Sequence, residues 1–343
     1  MNGTALLAAV SSSFMLTAAL TPVLRRLALR WGFMDRPGGH KSHERATPYL
    51  GGVAIMLGTV VPSVALISPT DERFIGIVIG AVIVTLLGLI DDLSPLPQLT
   101  RLAVEFLAAG GVVLTGVHAS VTGTWLDGPI TVLWIVVVTN SFNLLDNMDG
   151  ALAAVTVVTA AILAGAAFVS AQPAIGLILA TLPLACLGFL PYNWAPAKIF
   201  MGDAGSLFVG FVLTCSAALL ITGHDTGTAI AGLLLPTFVA TVDTGVVLLS
   251  RRRAGRPMMR GGTDHLSHRL RRLGLSTRLT ALTLAALAAV TGVLDLVMML
   301  GWIPPLGAAI VGLTAACVLI GLPQRVRVYP PVRAQKSLHV RRK

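Results

Sequence analysis

Long apolar runs alternate with short polar segments along almost the whole chain, and their lengths set the class of protein. A helix of roughly 17 to 22 apolar residues matches the hydrocarbon core of a bilayer. Such runs fall near 4–24, 49–68, 74–90, 102–117, 129–146, 151–170, 174–191, 204–222, 228–250, 279–300 and 305–322. The expected fold is therefore an all-α polytopic membrane protein with about 11 transmembrane helices.

Composition agrees with the pattern. In 343 residues, 55% are hydrophobic, 12% are charged and the mean hydropathy is +0.83, which excludes a pair of ordinary soluble domains. A single integral-membrane unit over 1–322 followed by a basic tail, 323–343, accounts for the chain. The basic residues also orient it, because short loops rich in Lys and Arg stay cytoplasmic. Residues 25–48 carry six, 251–278 carry nine and the tail carries seven, with Arg101 and Lys198 between them. If alternate loops are cytoplasmic, these segments account for every Lys and Arg except Arg73, with the N-terminus outside and the C-terminus inside. The first span, followed directly by Arg25 and Arg26, reads as a retained anchor. A net charge of +10 then reflects topology and attraction to an anionic inner leaflet, not nucleic-acid binding. Cys186, Cys215 and Cys317 fall within spans and lack metal-ligand spacing.

Against this apolar background, Asn140-Ser-Phe-Asn-Leu-Leu-Asp-Asn-Met-Asp-Gly150 stands out. Asn140, Asn143, Asp146 and Asp149 recur every third residue, so a continuous helix would align them in one drifting polar stripe. A polar helix–helix contact or a hydrated loop would explain two asparagines. Two further acids in membrane surroundings favour a cation or phosphate site.

Four more polar clusters lie on the same side. The loop holding Lys41, His43 and Arg45 ends in Gly51-Gly52 at a helix start and suits an anion, although a simple topogenic loop would look similar. Span 3 ends in adjacent carboxylates, Asp91 and Asp92, which repel each other unless a cation or basic group intervenes. Arg101 opens span 4 facing back towards them, and it could instead pair with Glu105 at i, i+4. After span 7, Lys198 and Asp203 bracket Phe200-Met-Gly, where Asp203 is either a metal ligand or the N-cap of span 8. Finally, Asp243 lies one to two turns from the end of span 9 and should face the bundle interior. It precedes a basic loop in which His265, His268 and Arg269 suit phosphate or uridine contact, a plain surface helix being the alternative.

Together these clusters resemble the polyprenyl-phosphate N-acetylhexosamine-1-phosphate transferase family, over about Asp35 to Leu270. Any one motif is weak, but the ordered set is specific. By that resemblance, Asp91-Asp92 matches the family's aspartate pair, Asn143, Asp146 and Asp149 its second acidic motif, and Asp203 its magnesium ligand. The basic and histidine loop matches the region that contacts the nucleotide diphosphate. The branch that transfers N-acetylglucosamine-1-phosphate is the nearest, since phospho-muramoyl-pentapeptide transferases look to have ten spans and adjacent histidines where this chain has His265-Leu-Ser-His268. Two departures stand out: Asn147 occupies a position where the family usually has Gly, and Ala151 replaces a common Leu.

The resemblance implies a bacterial cell-membrane enzyme that starts cell-envelope glycan synthesis, transferring N-acetylglucosamine-1-phosphate from UDP-GlcNAc to polyprenyl phosphate and releasing UMP. Mg²⁺ is the expected cofactor, with Mn²⁺ as its substitute. Asp203 with Asp146 would hold the metal, and Asp91, Asp92, Asp146 and Asp149 would make up the catalytic acids. Lys41, His43, Arg45, Arg101, Asn143, Lys198, Asp243, His265, His268 and Arg269 would bind substrate. Another UDP-sugar donor, such as that of the pentapeptide transferases, stays open, as does a homodimer. A lipid flippase or transporter is the rival class, but transporters put ionisable groups near the midplane, and here the acids cluster at one face.

Overall fold

A computed structural model describes residues 3–35, 46–66, 71–258, 262–326 and 328–329. Thirteen α-helices are described: α1 Gly3–Trp31, α2 Gly51–Leu66, α3 Glu72–Leu93, α4 Gln98–Leu114, α5 Asp127–Leu145, α6 Ala151–Val169, α7 Pro173–Asn193, α8 Gly202–Leu220, α9 Thr226–Leu234, α10 Phe238–Arg253, α11 Leu266–Arg272, α12 Thr277–Met299 and α13 Pro305–Gly321. A 3₁₀ turn, Leu322–Arg325, follows. Among the described residues the one sheet is a ribbon of β1 (Met34–Asp35) and β2 (Thr47–Pro48), antiparallel, flanking residues 36–45.

Eight of these helices are long and apolar enough to cross a membrane, and α9 with α10 makes a ninth if the bent pair is one span. The helix α2 is apolar but shorter, and the 17-residue α4 carries Arg101 and Glu105. Each of the eleven apolar runs coincides with one of these elements. Where a single straight span was expected over 228–250, the chain bends by 75° between α9 and α10. Pro236 lies in that break, and its missing N–H and ring disfavour helix continuation.

The bundle is built around α8. Every residue from Ala204 to Leu220 is buried, which explains a helix apolar on all sides. It packs against α3, α5 and α2. On its flank, α6 packs against α7 and α12, and its buried alanines, among them Ala153, Ala160 and Ala167, let backbones approach closely. Large apolar side chains such as Leu107, Leu114, Val290 and Leu306 face outwards, as suits a lipid-facing rim. Cys186 and Cys215 are buried packing residues, and Cys317 is exposed on α13.

Backbone contacts close one end of the bundle. Phe200 N–H donates to Pro48 O, while Gly51 and Gly52 N–H donate to Phe200 O and Met201 O at 3.1 and 2.9 Å. These two N–H groups are thus spent on the chain itself, and the basic loop expected to suit an anion, residues 36–45, lies outside the described residues. The glycines serve close approach: a Cβ on Gly52 would lie 2.1 Å from the nitrogen of Gly205. The ends of α3, α5 and α7 and the starts of α4, α6 and α8 are thereby gathered at one face.

Candidate active site

At that face a cavity of about 440 Å³ is lined by Asp35, Tyr49, Asp91, Asp92, Asn143, Asp146, Asn147, Met148, Asp149, Asn193, Phe200, Gly202, Asp203, Gly262, His265 and His268. Five of the acids singled out in the sequence therefore share one pocket. They arrive there from three parts of the chain: the end of α3, the turn between α5 and α6, and the start of α8.

The continuous stripe expected over Asn140–Asp149 does not form. Helix α5 stops at Leu145, Asp146 is its C-cap, and a turn carries Asp149 to Gly150, where α6 begins. Asn140 consequently faces away from the pocket, bonding Glu105 and its own Val136 carbonyl. Asn143 still reaches it, donating to Asp203 Oδ1 and to Ser206 Oγ, both at 2.9 Å. The turn is stitched to the loop before α8: Asp149 Oδ2 accepts from Ala197 N–H, and Asn193 Oδ1 accepts from Gly150 N–H.

The repulsion between Asp91 and Asp92 is relieved in two ways. Asp91 accepts from Leu96 N–H and pairs with Arg101 at 2.5 Å. Asp92 turns towards α8, where its two oxygens accept from the N–H groups of Asp203 and Ala204. A carboxylate from another helix thus satisfies donors that an N-cap would otherwise serve, at the positive end of the helix dipole. Asp203 is not that cap: it sits in the first turn and presents its side chain to Asn143 and Arg101. Gly202 makes the approach possible, with φ +71 and no Cβ where one would stand 2.5 Å from Asp92 Oδ2.

Arg101 does not pair with Glu105. It bridges Asp91 and Asp203, the latter at 3.1 Å, so one guanidinium serves two carboxylates. Asp146 lies at the other extreme, with no hydrogen bond or ion pair from its carboxylate among the described residues. Burial, and then the neighbouring carboxylates of Asp203, Asp92 and Asp149, push it up to about 7. A group so placed gains from an added cation.

The donor set suits a hard divalent ion. All five side chains offer carboxylate oxygens, and Mg²⁺ takes one or two carboxylates while water and substrate phosphates fill its remaining positions. Among the described residues no group of three or more His, Cys, Asp or Glu side chains stands close enough together to hold a metal ion by itself.

His265 and His268 border the opposite wall, with ring centroids 5.6 Å apart. His265 Nδ1 bonds Asp243 Oδ2 at 2.8 Å. Burial first, and next the charge of His265, hold His268 down at about 4, so it is neutral at physiological pH.

Three residues expected to bind substrate stand elsewhere. Asp243 is fully buried and holds His265 and the Leu266 N–H, which makes it a support for α11. Arg269 is equally buried, donating to Asp264 O, Ser250 Oγ, Pro323 O and Val326 O, so its charge is consumed inside the protein. Lys198 is exposed and off the pocket wall. Lys41, His43 and Arg45 lie outside the described residues. Conversely, Asp35, Tyr49 and Asn193 line the cavity and were not singled out. Asp35 and Tyr49 flank the basic loop, and that flanking position was the available signal.

Comparison with known proteins agrees with this geometry. Residues 74–222 match the glycosyl transferase family 4 model. A Streptomyces coelicolor protein, named provisionally as a glycosyltransferase, is 38% identical over 96% of this chain and 79% of its own. A Bacillus subtilis protein, named provisionally as an undecaprenyl-phosphate N-acetylglucosaminyl 1-phosphate transferase, is 31% identical over 79% of each chain. The decaprenyl-phosphate N-acetylglucosaminephosphotransferase of Mycolicibacterium smegmatis is 32% identical over 77% of this chain and 76% of its own. The chain belongs to glycosyl transferase family 4, and it is a transferase enzyme of the membrane.

Proposed function

We propose that this protein transfers N-acetylglucosamine-1-phosphate from UDP-GlcNAc to a polyprenyl phosphate, at the cytoplasmic face of a bacterial cell membrane. The observation that carries it is the convergence of Asp91, Asp92, Asp146, Asp149 and Asp203 with two histidines on one pocket at the membrane-helix ends, Arg101 pairing with Asp91 and Asp203. The names of the B. subtilis and M. smegmatis relatives support the same chemistry. If all eleven apolar runs cross the membrane with the N-terminus outside, that pocket lies on the side rich in Lys and Arg.

An oxygen of the lipid phosphate attacks the sugar-linked phosphorus of the donor. The bond from that phosphorus to the bridging oxygen breaks, and UMP leaves with that oxygen. Little covalent help is needed, so positioning and charge neutralisation dominate. A divalent cation, Mg²⁺ or Mn²⁺, would be held by Asp146 and Asp203 and would neutralise charge on the diphosphate. Arg101 keeps Asp91 and Asp203 in place, while Asp92 anchors the start of α8. His268, neutral and beside His265, offers a hydrogen bond to the nucleotide side. The acceptor phosphate has a second pKa near 6, so it is already largely ionised and needs no strong base.

The test is UMP release by purified Asp146→Asn and Asp203→Asn variants across a Mg²⁺ titration. Each is expected to lose activity by on the order of 10²-fold, with more Mg²⁺ needed for half-maximal rate. Unchanged release in both at ordinary Mg²⁺ removes the metal assignment.

A further inference from the structure

Helix α11 carries His268 and has His265 as its N-cap residue, and its rear attachments are strong. Asp243 holds His265 and Leu266, Arg251 pairs with the adjoining Asp264 at 3.1 Å, and Arg269 is bound by the 3₁₀ turn and Ser250. On the pocket side it is joined to the acidic turn through Ser267, whose hydroxyl donates to Asn147 Oδ1. Asn147 Nδ2 donates to Leu144 O at 2.9 Å, which orients the amide so that its oxygen is presented to Ser267. Ser267 is 1% exposed, so water does not readily replace this partner.

The contact needs both side chains. A glycine at 147 could not accept the Ser267 proton, and without Ser267 the Asn147 oxygen would lose this buried donor.

We propose that Asn147 and Ser267 form a positioning pair that fixes the separation between the Asp146–Asp149 turn and the His265/His268 wall, and so sets affinity for the nucleotide-diphosphate donor. The pair leaves the phosphoryl-transfer step to the carboxylates. It goes beyond the transferase assignment but rests on it for the identity of the donor. Asn147 lies between the two pocket acids, so loss of the contact removes this tie between the turn and the histidines without removing any charge.

The experiment compares wild type, Asn147→Gly, Ser267→Ala, Ser267→Thr and the Asn147→Gly/Ser267→Ala double variant in detergent. Donor KM and kcat are measured with UDP-GlcNAc, and UDP affinity is measured separately by calorimetry. Each single loss variant should raise donor KM and weaken UDP about 5- to 10-fold, equivalent to about 1–1.4 kcal/mol, with kcat within about twofold. The double variant should be no worse than either single one, and Ser267→Thr should restore wild-type KM. Additive losses, an unchanged KM, a matching fall in kcat, or failure of the threonine variant would each overturn the pair. If wild type binds UDP yet transfers nothing to any polyprenyl phosphate, the transferase assignment fails. UDP affinity across the same variants then decides the pair by itself.

Discussion

Asp92 accepts the backbone N–H groups of Asp203 and Ala204 at 2.9 and 3.1 Å, so one pocket acid anchors the helix that presents another. The two residues are 111 positions apart in the chain, and the contact joins the end of α3 to the start of α8. Asp92 is therefore a structural participant before it is a candidate base.

Replacing it should show this in stability. Asp92→Ala removes both acceptors from the N-terminus of α8 and is expected to cost about 1–2 kcal/mol. Asp92→Asn keeps one acceptor oxygen and should cost less. Thermal unfolding in detergent checks the order. A pair of variants that both lose activity with unfolding temperatures equal to wild type would instead mark Asp92 as a purely chemical group.

Arg269 separates support from substrate contact in the same way. Arg269→Met strands several buried acceptors and should destabilise the protein by about 1–3 kcal/mol, while the folded fraction keeps its donor KM. A raised KM with undiminished stability would return Arg269 to the substrate.

His268 supplies the pH dependence. Its value is lowered to about 4 in the folded protein, against 6.5 for an ordinary histidine, so between those values the unfolded chain binds more protons. Stability should therefore rise with pH through that window and be lost as pH falls from about 6.5 towards 4. His268→Gln should flatten this part of the profile. An identical slope in the variant, measured as unfolding temperature against pH, would exclude His268 as its source.

The spans were legible because apolar run length is a local property, and each run coincides with a described helix or the bent pair. The bend was not, because Pro236 sits inside an otherwise uninterrupted apolar run. The acids of the site were legible as costly groups in apolar surroundings. Their roles were less so, since they depend on partners far along the chain. Asp243 was expected to face the interior and does, but its partner His265 comes from a loop beyond the helix. Arg269 looked like one more phosphate contact, whereas its acceptors include the carbonyls of Pro323 and Val326, more than 50 residues away. The polar stripe around Asn140 failed at the end of α5, where Asp146 leaves the helix and becomes the open carboxylate of the pocket.

The most direct measurement is UMP release by the purified protein supplied with UDP-GlcNAc, with and without polyprenyl phosphate and with and without a chelator of divalent cations. Release is expected only when the lipid phosphate and the cation are both present, and Mn²⁺ should substitute for Mg²⁺ after chelation. Release that persists without the lipid or in excess chelator, or no release with any UDP-N-acetylhexosamine, would contradict a cation-dependent transfer to polyprenyl phosphate.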